Sequence, residues 1–73
     1  MKLIYKGNIV NDFNGFDYNE IFKLSNGMVF KQNVIKYRYM YRYMPKVKLW
    51  KNGSKYYLEI DNINEMIEVE RIN

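Results

Sequence analysis

Cysteine and histidine are absent from this 73-residue chain, proline occurs once and glycine four times. Each shortage excludes something. Without cysteine a small domain has no disulfides to lean on, and without either residue the usual structural zinc sites have no ligands. Histidine-based nucleophilic triads and phosphate-cradling glycine loops also lack starting material. The chain is therefore not expected to be an enzyme; no cofactor is expected, and no small-molecule substrate is evident. So little proline and glycine also excludes a low-complexity linker. The opening apolar stretch Leu3-Ile4-Tyr5 is broken by Lys6 and is too short for a signal-peptide core or a membrane span. The expected compartment is the cytoplasm, with no membrane partner.

What is present points to a folded unit. Hydrophobic residues make up 48% of the chain and aromatic residues 18%, well above a disordered tail. At this length residues 1–73 form one domain whose core is only marginally sufficient, so packing or self-association must supply the stability.

Apolar residues recur at every second position and no window sustains helical spacing, which predicts strands throughout. The first strand region covers residues 2–13 and is interrupted or kinked near Gly7. A polar bend follows at Asn14-Gly15 and Asp17-Tyr18-Asn19. Residues 21–24 and 28–32 flank Ser25-Asn26-Gly27, where Asn-Gly suits a type I′ hairpin. A long extended run over 34–44 is ended by Pro45, which cannot donate to a central ladder. Residues 46–50 and 56–60 flank a second hairpin at Asn52-Gly53-Ser54, residues 61–65 suit one helical turn, and 66–72 read as a closing strand. Short strands with tight turns predict an all-β fold, a small SH3-like barrel of five or six antiparallel strands, because closure removes exposed edges. The 34–44 run would be the long central strand. At about 3.3 Å per residue it would extend roughly 36 Å, too long unless it bends or bulges.

Asp12-Phe13-Asn14-Gly15-Phe16-Asp17, Ile21-Phe22-Lys23-Leu24-Ser25-Asn26-Gly27, Gln32, the alternating tyrosines and Pro45-Lys46-Val47 together resemble a family of small bacterial domains of uncharacterised function. The resemblance covers 7–69 and implies a compact β-barrel with no catalytic residues to carry over. Gly7-Asn8-Ile9-Val10, Phe16-Asp17 and Ile21-Phe22-Lys23-Leu24 are also similar to the first motif of Sm-like RNA-binding proteins. The second Sm motif, an Arg-Gly or Lys-Gly step in a late strand, is not in the sequence.

Residues 37–43 read Tyr-Arg-Tyr-Met-Tyr-Arg-Tyr, and nine basic residues with no acidic one lie between Ile21 and Leu58. As a strand, Tyr37, Tyr39, Tyr41 and Tyr43 share one face and Arg38 and Arg42 the other. The tyrosines suit base stacking with arginines on phosphate, or cross-strand aromatic packing. The lysines suit polyanion attraction, or solvated strand faces opposite Glu59, Glu68 and Glu70. Met28, Met40 and Met44 suit core filling where the strand bends. Trp50 suits either a partner anchor or a barrel cap. Asp12, Asp17 and Glu20 suit turn formation rather than a metal site. The expected binding surface is Tyr37, Arg38, Tyr39, Tyr41, Arg42, Tyr43, Lys46, Lys48 and Trp50. A protein partner or a second copy is favoured, with single-stranded nucleic acid as the alternative.

Overall fold

Alternating apolar residues need a partner strand for their backbones and a second layer for their inward faces. The computed structural model describes residues 1–63 and 65–73. Among these the chain forms eight strands: β1 (Lys2–Asn8), β2 (Asp12–Phe16), β3 (Ile21–Lys23), β4 (Val29–Gln32), β5 (Arg38–Tyr43), β6 (Lys46–Asn52), β7 (Lys55–Ile60) and β8 (Met66–Arg71). All ladders are antiparallel. Six strands form one sheet in the order β1-β6-β7-β8-β4-β3, while β2 and β5 form a separate two-stranded ribbon. The all-β expectation holds, with more strands than the five or six foreseen.

The six-stranded sheet curls until its ends meet at one corner. Ile9 bridges Leu24, Val10 N–H donates to the Lys23 carbonyl at 2.8 Å and Ser25 N–H to the Asn8 carbonyl at 2.9 Å. The Tyr5 and Ser25 hydroxyls share a hydrogen bond, and Ser25 Oγ also accepts from Asn8 N–H at 3.1 Å. No longer ladder joins β1 to β3 among the described residues, so a closed barrel is not seen.

Inward-facing residues of nearly every strand build one core, in which Phe22, Phe30, Leu49, Leu58, Ile60 and Ile67 are essentially inaccessible. The ribbon is fastened to it by β2. Phe13 and Phe16 pack on one another at 5.7 Å and on Phe22 of β3 at 6.1 and 6.4 Å. These edge-on and tilted contacts suit the ring quadrupoles, and burying each phenylalanine contributes about 1.5–3 kcal/mol. Met40 of β5 packs against the same core.

Four local expectations are corrected. The region 2–13 is not one strand broken near Gly7: Gly7 is paired inside β1, and the break comes at residues 9–11, with Asn11 at φ 66°, before β2 starts in the other sheet. Asn14-Gly15 is no bend: it lies inside β2, and Gly15, at φ 93°, is where the two ribbon backbones touch. A Cβ there would stand 2.0 Å from the Arg38 carbonyl oxygen. Ser25-Asn26-Gly27 is not type I′, because of the three only Gly27 has positive φ. Gly27 N–H bonds the Leu24 carbonyl and Leu24 N–H the Met28 carbonyl, the geometry of a type I turn closed by a glycine bulge. The long 34–44 strand is also shorter than expected, since β5 begins only at Arg38. Gln32 is the reason. It is the one buried polar side chain among the described residues, and its Nε2 donates to the carbonyls of Val34 and Lys36 at 2.8 and 2.9 Å while its Oε1 accepts from Asp17 N–H at 3.0 Å. Carbonyls so engaged leave residues 33–37 as a loop. The expected bulge is found within β5: Phe13 faces Arg42 but Gly15 faces Tyr39, so β5 carries one residue more than β2 between these pairs.

The second hairpin is as expected, with Gly53 (φ 63°) and Ser54 between the paired Asn52 and Lys55, the two-residue loop that places glycine first. The helical turn foreseen over 61–65 includes Asn64, which lies outside the described residues.

Candidate interaction surface

Pinning Phe13, Phe16 and Met40 inward turns the opposite face of the ribbon to solvent, because side chains alternate along a strand. Tyr39, Tyr41 and Tyr43 lie on that outer face at 70%, 55% and 68% exposure, and Tyr37, in the preceding loop, is 68% exposed. The exposed apolar surface continues into that loop with Val34 and Ile35, the latter 85% exposed, and past the strand with Met44. The tyrosines are thus neither core nor buried cross-strand packing.

The charges around this face are largely committed. The Arg38 guanidinium donates to Glu65 Oε1 at 3.0 Å, and the Lys36 ammonium pairs with the other oxygen of the same carboxylate while lying 5.7 Å above the Phe16 ring. Asp12, opposite Tyr43 in the ladder, accepts a hydrogen bond from the Tyr41 hydroxyl at 2.8 Å. That bond, with some desolvation and the negative field of Asp12, Tyr43 and Tyr39, raises the Tyr41 pKa above the ordinary phenol value. Arg42 sits opposite buried Phe13, half-buried on the inward side of the strand. The result is an aromatic face with a carboxylate among its rings and little free positive charge.

The remaining expected residues belong to a different sheet. Lys46, Lys48 and Trp50 lie on β6, between β1 and β7. Lys48 faces Lys6 of β1 and Glu59 of β7, and Lys46 faces Asn8. Trp50 is half-buried between Leu3 and Tyr57, with its indole N–H donating to Glu59 Oε1 at 2.8 Å. Lys6, Lys46, Lys48, Glu59 and Asp61 line a cleft of about 390 Å³. The single surface expected from the sequence is therefore two: an aromatic ribbon and a mixed-charge cleft. Lys31 lies opposite Glu70 and Lys55 reaches Glu68 at 3.9 Å, so acidic residues of β8 do sit beside the basic window.

Asp12, Asp17 and Glu20 do not come together as a metal site, and no group of three possible ligands does among the described residues. Asp17 Oδ1 caps Tyr18 N–H at 2.7 Å. Burial, then the Asp17 charge, pushes the Glu20 pKa up, offset in part by a hydrogen bond from the Ile21 backbone. No helix among the described residues is long and apolar enough to cross a membrane. Sequence reasoning missed Glu65 as the anion that ties down Arg38, and missed Val34 and Ile35 as exposed. No local pattern announces a pairing across 27 residues, and adjacent β-branched residues favour strand, so nothing local marked Val34 and Ile35 as a loop. No protein-family model, curated protein or solved structure matches the chain.

Proposed function

We propose that the chain is a non-catalytic cytoplasmic binding module that engages a protein partner through the tyrosine face of β5. One observation carries the reading: Tyr39, Tyr41 and Tyr43 on β5, and Tyr37 in the loop before it, each stand more than half exposed, while the other face of the ribbon is anchored to the core. Tyrosine supplies a large amphipathic contact at low entropic cost and is over-represented among interface residues that dominate affinity. Arg38 spent on Glu65, and Asp12 set among the rings, suit a protein rather than the phosphates of a nucleic acid. The SH3-like barrel belongs to the same proposal, supported by the curl that joins Ile9 to Leu24. The resemblance to small bacterial domains suits a module without catalytic residues.

A second reading, salt-sensitive binding of single-stranded nucleic acid, draws on the net charge of +4 and on Lys6, Lys46 and Lys48 around the cleft. One comparison separates the two. Replacing Tyr39 and Tyr43 together by Ala should weaken a captured protein partner by about 30-fold or more, with little dependence on salt. Oligonucleotide binding that persists at physiological salt and disappears in the Arg38→Glu, Arg42→Glu double variant would contradict the protein reading.

A further inference from the structure

Strand edges carry unpaired N–H and C=O groups, and proteins blunt those they do not use. Four strands are sheet edges, β1 and β3 in the larger sheet and β2 and β5 in the ribbon, and the two of the larger sheet are blunted. β1 carries Lys2 and Lys6; β3 has only three residues, and its end is bonded to the segment after β1. β5 is different. Among the described residues it pairs with β2 alone and runs for six residues without lysine or proline, with a register break in its ladder to β2 as β1 has in its ladder to β6. Of its two charged side chains, one is tied to Glu65 and the other sits on the inward side opposite Phe13.

We infer that the free edge of β5 pairs antiparallel with β5 of a second copy, forming a symmetric dimer; the inference rests on reading the tyrosine face as a binding surface. The strand is suited to its own reverse. Residues 37–43 read the same in both directions, Tyr-Arg-Tyr-Met-Tyr-Arg-Tyr. A two-fold axis normal to the ribbon pairs residues of equal parity, so every such register sets tyrosine beside tyrosine on the outer face. Centring on Met40 would oppose Arg38 and Arg42, a like-charge cost. Centring on Tyr41 avoids it: Tyr39 meets Tyr43 of the second copy, Tyr41 meets Tyr41, and Met40 meets Arg42. Edge pairing adds a backbone ladder and brings the flanks of Tyr39, Tyr41 and Tyr43 against their counterparts, while the outer face of the rings stays open. Pairing would also give the two-stranded ribbon the third and fourth strands that such ribbons need for independent stability.

Sedimentation equilibrium of the full chain from about 1 µM to about 1 mM should show the mass rising from 9.0 kDa toward twice that. Tyr39→Lys with Tyr43→Lys, checked for fold by circular dichroism, should weaken dimerisation at least tenfold. Because the chain has no cysteine, Tyr41→Cys reports the geometry independently of that variant's folding. It should oxidise to a disulfide-linked dimer at least tenfold faster than Tyr18→Cys, a control at another exposed tyrosine. A constant 9.0 kDa mass, a dimer indifferent to the double lysine variant, or equal oxidation of the two cysteine variants would overturn the inference. If the wild type stays monomeric while an added protein partner is still lost on replacing Tyr39 and Tyr43, self-pairing alone fails. If neither assay depends on those tyrosines, the binding-surface reading fails as well.

Discussion

Gly15 is the residue on which the ribbon depends most narrowly. Its positive φ and the Arg38 carbonyl oxygen, 2.0 Å from where a Cβ would stand, allow nothing larger. Gly53 also has positive φ but nothing within 4 Å of such an atom. Gly53→Ala should therefore cost only about 1–2 kcal/mol of left-handed backbone strain. Gly15→Ala should cost at least about 3 kcal/mol, because a backbone oxygen cannot yield without breaking the β2–β5 ladder. Urea denaturation of the two variants measures the difference, and equal losses would mean that the close approach is not constraining. Gly53 and Gly27 were legible as turn residues because turn chemistry is local. Gly15 looked like another, since a sequence does not distinguish a glycine needed for φ from one needed for the approach of a distant strand.

Among the elements, the length of β5 shows where periodicity stops being informative. Alternation runs unbroken from Lys36 to Tyr43 and predicts strand throughout, yet Gln32 draws the carbonyls of Val34 and Lys36 toward itself. A buried side-chain amide thus outcompetes the ladder across residues 33–37. The same glutamine accepts from Asp17 N–H, so it ties the end of β2, β4 and the loop before β5 together. Gln32→Met keeps the volume but leaves three backbone groups without their partner. It should cost about 3 kcal/mol and raise hydrogen exchange first at Asp17 and around residues 33–37. A loss no larger than that of an exposed substitution would show that water replaces the amide at no cost. The strands β3, β4, β6, β7 and β8 were legible to within two residues because each pairs with a neighbour through a hairpin or follows a clear turn signal.

At the scale of the whole molecule, long-range pairing decides what the surface is. The charge window and the tyrosine row were visible in the sequence, and the exposure of Tyr39, Tyr41 and Tyr43 follows from the two phenylalanines that pin β2 to the core. What was not visible is that β6 leaves the ribbon at Pro45 to join β1 and β7, taking Lys46, Lys48 and Trp50 into another sheet. That separation leaves Lys36, Arg38 and Arg42 as the cations beside the aromatic face, the first two paired with Glu65, which supports the proposed protein partner. With a small core and a large exposed aromatic area, association is the natural source of added stability, since anything that binds only the folded chain raises its melting temperature in a concentration-dependent way. The thermal midpoint should therefore be measured from about 5 µM to about 500 µM, for the wild type beside Tyr39→Lys with Tyr43→Lys. Pairing through β5 requires a midpoint that climbs with concentration in the wild type and stays level in the variant; a wild-type midpoint that does not move would contradict it.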